Sequence, residues 1–371
     1  MGSFRDALQV KINKSVLNDF GADNFDEHRF GKYVPEVRQI SLLQKVKNIV
    51  KKIIGYKPTV NYDMSKLPLL KEYEDRLQHF YDKVDSESKA LIVELIAYKI
   101  LGFRKVKLSI NTPGYWTYFE EIKKLITPND TLDPHYKNFI LKRFNLKPIG
   151  FNIDFYFTET GVVTHFLAEQ YAYKKDNKII VGVEKGDVVL DLGGCWGDTA
   201  LYFADKTGVT GKVYSFEFIP ENIKILNLNT NLNPDLKNQV VVVDRPASNV
   251  SDQVIYYLDN GPASKISTQP FDNHTGTTTT LSIDDFVSRN NIPKVDFIKM
   301  DIEGAEPLAL KGAINTIKKF KPKLAISIYH GMNDFVNIPA WLMDLNEDYI
   351  FYVGHYKIFD QETVLFAKPR K

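Results

Sequence analysis

The segment KMDIEGAEPLALKGA places Lys299, Asp301, Glu303 and Glu306 within eight positions, and the segment SIYHG places His330 just after an apolar run. Carboxylates and an imidazole gathered at strand ends have three chemical uses. A neutral His330 or an ionised Asp301 can accept a proton from a bound hydroxyl. Asp301 and Glu303 together can seat Mg²⁺, although octahedral coordination asks for more oxygens than two carboxylates supply, so a divalent metal is not the favoured reading. Acids that open a helix also serve simply as partners of its dipole, which accounts for Glu306 and covers Glu303 as well. Asp301 fits that last role less well, because an acid ending a buried strand loses solvation and needs Lys299, His330 or a ligand beside it. His330 has a bland reading too, as a core histidine with satisfied bonds.

A second group of residues lies in VVLDLGGCWGDTA, residues 188–200. An apolar run ends at Asp191 and Leu192. Gly193, Gly194 and Gly197 then allow a tight turn and a close ligand approach, and Asp198 and Thr199 begin a helix. A nucleotide-like ligand follows, with a dinucleotide, S-adenosylmethionine or a merely structural turn as alternatives. The spacing D-x-G-G-x-x-G is a poor match to the dinucleotide fingerprint. Glu217, 24 residues beyond Gly193, stands where an acid takes both ribose hydroxyls, and Asp244 stands where an acid meets an adenine amino group, although DRP is also good turn chemistry.

These residues need a scaffold that brings strand ends together. Apolar runs near 188–192, 212–218, 239–243, 294–300, 323–329, 349–354 and 363–368 read as strands, and helical patterns near 197–206, 220–231, 282–290, 304–319 and 334–346 separate most of them. Such alternation predicts an α/β, Rossmann-like, doubly wound sheet of seven mostly parallel strands. Only HYKIFDQE separates the last two strands, too few residues for a crossover helix, so they must form an antiparallel hairpin. That ending distinguishes the class I methyltransferase variant from the dinucleotide fold. Ligands of open α/β sheets bind beyond the strands' carboxyl ends. Asp301, Glu303 and His330 should therefore converge beside the glycine loop.

The 371 residues, 44% hydrophobic and 25% charged, describe ordinary globular material, and the length suggests two domains. Net charge divides unevenly, +8 over residues 1–150 and −6 over the remainder, which places a boundary near residue 150. The first half, 1–150, reads as mainly helical, with helices near 68–84, 86–101 and 115–126 and a strand at 151–157 leading into the second domain, 151–371. Within residues 36–57 an amphipathic stretch sets Leu42, Val46, Ile49, Val50 and Ile53 against Lys45, Lys47, Lys51 and Lys52. Its role is either to cap a core or to touch an anionic membrane surface peripherally. Cys195 is the sole cysteine, which excludes an internal disulfide and a cysteine-based zinc site and fits a cytoplasmic address. A basic stripe interleaved with stacking aromatics is missing near the site, so nucleic acid is not an expected partner.

GDVVLDLGGCWGDTALYFA, GKVYSFEFIPENIKIL, VDFIKMDIEGAEPLALKGA, KPKLAISIYH and ETVLFAKP together resemble the FkbM family of S-adenosylmethionine-dependent methyltransferases over about residues 165–368. The most specific element is K-M-D-I-E-G-A-E followed by A-L-K-G-A. The resemblance implies S-adenosylmethionine in the cleft of Gly193, Gly197 and Glu217, with O-methylation of a hydroxyl on a saccharide, glycoconjugate or related natural product. EQYAY at 169–173 looks like the family's lead-in, which implies that Gln170 or Tyr171 closes over the cofactor. A cofactor-binding module without turnover, serving a biosynthetic assembly, is the alternative.

Overall fold

The computed structural model describes residues 2–35, 61–262, 264–345 and 348–370. The amphipathic stretch at 36–57 lies outside them. Seven strands form one sheet, β6 (Val188–Leu192), β7 (Lys212–Phe216), β8 (Val240–Val243), β12 (Phe297–Met300), β13 (Lys323–Ser327), β14 (Tyr349–His355) and β15 (Thr363–Pro369). Their order is β14-β15-β13-β12-β6-β7-β8. β15 pairs antiparallel with both β13 and β14, and every other pairing is parallel. All four residues of β12 are buried, as befits a central strand covered by helices on both faces.

Helices α7 (Asp198–Thr207), α8 (Pro220–Asn231), α9 (Pro234–Lys237), α10 (Ile283–Arg289), α11 (Glu306–Lys311), α12 (Ile314–Phe320) and α13 (Met332–Leu345) connect the strands. The single helix expected at 304–319 is broken into α11 and α12. Gly312 separates them, where a Cβ would stand 2.1 Å from the Ser248 carbonyl oxygen. An addition to the seven strands, the antiparallel sheet of β9 (Val254–Leu258), β10 (Lys265–Ser267) and β11 (Gly276–Thr279), is inserted between β8 and α10.

The N-terminal part holds α1 (Phe4–Ser15), α2 (Glu27–Phe30), α3 (Pro68–Lys83), α4 (Ser86–Leu101) and α5 (Pro113–Lys123). It is mainly helical as the pattern suggested, and β1 (Ile126–Leu132) and β2 (Leu141–Asn145) join β3 (Asp154–Phe157), at the strand expected over 151–157, in an antiparallel sheet. Asp85 caps α4 by accepting from Ser88 N. α3 packs on α13, with the Phe80 and Phe335 rings 5.9 Å apart. α4 packs along β14, where Val353 N donates to Ser88 Oγ at 2.9 Å and Val84 bridges to Phe351. The edge strand of the large sheet is thereby covered. After β3 the chain runs through α6 (Glu159–Val162) into a π turn, Val163–Leu167, and a small hairpin of β4 (Tyr173–Lys175) and β5 (Lys178–Val181). Among the described residues no helix is long and apolar enough to cross a membrane.

Candidate active site

The carboxyl ends of β6, β7, β12 and β13 open onto two connected cavities. The first, about 440 Å³, is lined by Gly193, Glu217, Phe218, Ile219, Pro246, Ala247, Ile302 and Leu308 among others. The second, about 230 Å³, is lined by Tyr171, His165, Trp196, Asp198, Thr199, Tyr329, Lys357 and Glu362 among others. Gly193, Cys195, Pro262, Asp301 and Glu303 border both, so the cavities meet at the ends of β6 and β12.

The glycine loop is shaped first by its own neighbours. Gly193 has φ +88°, and a Cβ there would lie 2.0 Å from the Asp301 carbonyl oxygen, so a side chain would force β6 and β12 apart. Gly197, also at φ +88°, meets Leu226 of α8. Gly194 and Gly197 border neither cavity. Beneath the loop Asp191 is fully buried and also reaches neither cavity. It accepts from Thr199 Oγ1 and Ser215 Oγ and pairs with Lys299 Nζ at 3.1 Å. Lys299 Nζ also donates to the carbonyls of Leu192 and Gly193, tying the loop to β12. Burial favours the uncharged lysine, but Asp191 and Asp301 outweigh it and hold Lys299 protonated. Asp191, Gly194 and Gly197, named from the sequence with the cofactor loop, stand behind the cavity walls and support the loop.

Glu217 stands in the wall of the larger cavity, its Oε1 accepting from Phe218 N and Ile219 N at 2.8 Å. Burial pushes its carboxyl up to about 7. Asp244 is exposed and does not border the cavity, whose wall after β8 is built by Pro246 and Ala247. The structure thus offers no wall position for the adenine contact expected of Asp244, because the chain turns after β8 and leaves that carboxylate in solvent. Gln170 is fully buried outside both cavities, its Nε2 donating to Glu362 Oε2 at 2.7 Å. Tyr171 does face the smaller cavity and donates to Asp301 Oδ2 at 2.9 Å.

His330 meets acids on both sides. Nε2 lies 3.3 Å from Asp301 Oδ1 and 3.7 Å from Glu303 Oε2, and Nδ1 lies 3.3 Å from Glu306 Oε1. Those approaches miss good hydrogen-bond angles, leaving the ring nitrogens without directed partners, but the charges are close enough to dominate. Burial disfavours the imidazolium, yet Asp301 and Glu306 overcome it and lift His330 to about 11. It also borders neither cavity. The acids around His330 favour its charged form, which together with its place outside both cavities weighs against the expected role of a neutral base. Asp301 is the other half of that pair. Burial would raise its pKa, but His330 and Lys299 together with the Tyr171 hydroxyl hold it well below the usual carboxylate range, so it is a reluctant proton acceptor. Tyr329 OH adds a further bond to Asp301 at 3.1 Å.

Ligand atoms of Asp301, Glu306 and His330 lie within 4.8 Å of one another, a spacing open to a cation. The Asp301 and Glu303 pair named for Mg²⁺ is not this cluster. The imidazolium already supplies the positive charge that a cation would bring, and a metal would have to displace its proton. Glu303 is different again. Burial, then the charge of Asp301, push it up to about 7, and its φ of +57° holds it in a conformation unusual for a side-chain-bearing residue, at the junction of the cavities.

Three cavity residues had no signal in the sequence. His165 comes from the π turn, Lys357 from the loop between β14 and β15, and Arg29 from α2. Each is brought in by packing between elements distant in the chain.

A seven-stranded α/β sheet with an antiparallel terminal hairpin, its strand ends opening on a nucleoside-sized cleft with a buried acid after β7, is the fold of S-adenosylmethionine-dependent methyltransferases. Residues 181–351 match the methyltransferase FkbM domain, and this part of the chain is an FkbM methyltransferase domain. The family implies S-adenosylmethionine as methyl donor. The structure is similar to the methyltransferase FkbM of Methylobacillus flagellatus KT, with a TM-score of 0.52 and 16% identity, over 89% of this chain and 72% of that one. Aeropyrum pernix fibrillarin in complex with natively bound S-adenosyl-L-methionine aligns over 50% of this chain and 67% of its own, at a TM-score of 0.33 and 16% identity. An rRNA methylase from Streptococcus thermophilus aligns over 51% of this chain and 90% of its own, at a TM-score of 0.34 and 11% identity. No curated protein matches the chain.

Proposed function

We propose that the chain methylates a hydroxyl of a saccharide or glycoconjugate. The observation that supports this most is the lining of the smaller cavity. Phe139, Phe157, Trp196 and Phe359 offer apolar faces, while Arg29, Lys357, Gln361 and Glu362 offer both donors and acceptors. A sugar ring presents that same combination, apolar C–H faces rimmed by hydroxyls that donate and accept.

The larger cavity, about 440 Å³, has the size and the apolar walls to take an adenosine, with Glu217 as the carboxylate for its ribose hydroxyls. S-adenosylmethionine supplies an electrophilic methyl on a sulfonium. Glu303, at the junction, is placed to neutralise that cation, and a cation beside it would favour its ionised form. The chain's main task is alignment of the acceptor oxygen with the methyl carbon and exclusion of water.

Single-turnover incubation with methyl-labelled S-adenosylmethionine and a panel of methyl hexopyranosides tests the reading. The expected result is S-adenosylhomocysteine formation together with an alkali-stable methyl ether on one sugar position. Release no faster than in acceptor-free controls for every pyranoside would remove the saccharide reading.

A further inference from the structure

We infer that His165, oriented by Asp198, is the general base that takes the proton from the acceptor hydroxyl. This rests on the O-methylation reading above. His330 borders neither cavity, and Asp301 already accepts hydrogen bonds from the Tyr171 and Tyr329 hydroxyls, so the smaller cavity needs another group for that proton. His165 and Asp198 both line it, beside Gly193, Asp301 and Glu303. His165 Nδ1 lies 2.5 Å from Asp198 Oδ2, and the two side chains are 18% and 4% exposed. A carboxylate bonded to Nδ1 fixes the tautomer that leaves the Nε2 lone pair for substrate, the base-and-orienter arrangement of general-base histidines.

The backbone agrees with this reading. His165 sits in the π turn Val163–Leu167, a rare irregularity frequent at functional sites. Its ring packs against those of Phe157 and Tyr171, with centroids 5.6 and 5.7 Å away. Besides Asp198, the charged groups sharing its cavity are Lys299 from β12, Asp301 and Glu303 just after it, Lys357 and Glu362 from the β14–β15 loop, Arg29 from α2 and Asp26 beside it. They supply both signs. His165 has one carboxylate in contact, where His330 has three nearby.

In the step itself, the acceptor O–H proton passes to His165 Nε2 as the new O–C bond forms. The C–S bond breaks with its electron pair going to sulfur, which leaves a neutral thioether. The imidazolium is stabilised by Asp198 and returns its proton to solvent. A plainer role for His165 would be to satisfy the Asp198 carboxylate, and that role carries no pH signature in the rate.

The test uses the full chain. With any methyl hexopyranoside that is methylated, His165→Gln should lower kcat by about 10²–10⁴-fold, with S-adenosylmethionine affinity within a few-fold of wild type. The wild-type rate should rise with pH, a dependence that the variant lacks. An unchanged kcat, or an unchanged pH profile, overturns the base while leaving saccharide methylation standing. If no pyranoside is methylated, the saccharide reading fails, and ¹⁵N-histidine spectra of the chain with S-adenosylhomocysteine still decide the base. An unprotonated Nε2 on His165 near neutral pH, lost in Asp198→Asn, supports it. An imidazolium at pH 8, or the opposite tautomer, overturns it.

Discussion

At the floor of the cleft, where β12 and β13 end, His330 has a carboxylate beside each ring nitrogen. In the wall, His165 has one carboxylate, and among the described residues Lys357 of the β14–β15 loop makes a single long hydrogen bond, 3.4 Å to the Thr160 carbonyl. All three are bases buried near acids, yet they differ in how many acids are within reach. At the floor charge is matched by charge. In the wall, polar groups keep capacity that only a ligand can use, and an unmatched buried ammonium costs folding energy. Burial of Lys357 accordingly pulls its pKa down. A residue's closeness to the chemistry is therefore a weaker guide to its role than the number of countercharges it already has.

The largest expected effect lies at the floor. His330→Leu removes the cation between Asp301 and Glu306 and should cost about 3 kcal/mol in urea unfolding. The difference between wild type and variant should also depend on pH. With the folded-state pKa lifted from 6.5 to about 11, the contribution of His330 is complete below 6.5 and fades as pH rises towards 11. A pH-independent difference, or a cost as small as that of a surface substitution, about 0.5 kcal/mol, would break the distinction between floor and wall.

The wall should respond with the opposite sign. Lys357→Met replaces a buried amine held by one long hydrogen bond with an apolar chain of similar length, so stability should rise by roughly 1 kcal/mol. Thermal unfolding that shows a loss instead would mean that Lys357 is already well paired. The smallest effect belongs to a residue outside both regions. Asp244→Ala should leave S-adenosylmethionine affinity unchanged in calorimetric titration, and a loss near tenfold, about one hydrogen bond's worth, would return Asp244 to the site.

Much of the floor was legible in the chain itself. Strand ends are marked by apolar runs that stop at Asp191, Glu217 and Asp301, and a parallel sheet must bring such ends together, so their neighbourhood follows from periodicity alone. The charge state of His330 was not legible. It depends on Glu306 turning back at the start of α11, where its Oε1 also accepts from Ile302 N, a detail of one turn of backbone. The wall was nearly invisible. His165, Lys357 and Arg29 sit in a π turn, a hairpin loop and a four-residue helix, with no mutual spacing, and only packing between the N-terminal part and the sheet unites them. Asp244 misled for a related reason: position after a strand fixes where the backbone leaves the sheet, and the next turn decides where the side chain goes.

The covering of β14 by α4 bears on how the chain avoids self-association. A strand at the rim of a sheet is a template for any other extended segment, and β14 spans seven residues, of which Tyr349, Phe351 and Val353 are buried. Ser88 Oγ accepts the N–H of Val353, and Val84 occupies the position beside Phe351. A chain cut at residue 150 would keep every residue of the methyl-transfer floor and lose this cover. It would present an apolar, hydrogen-bond-hungry border to its neighbours, so its fate would be set by polymerisation in solution before any question of catalysis arose.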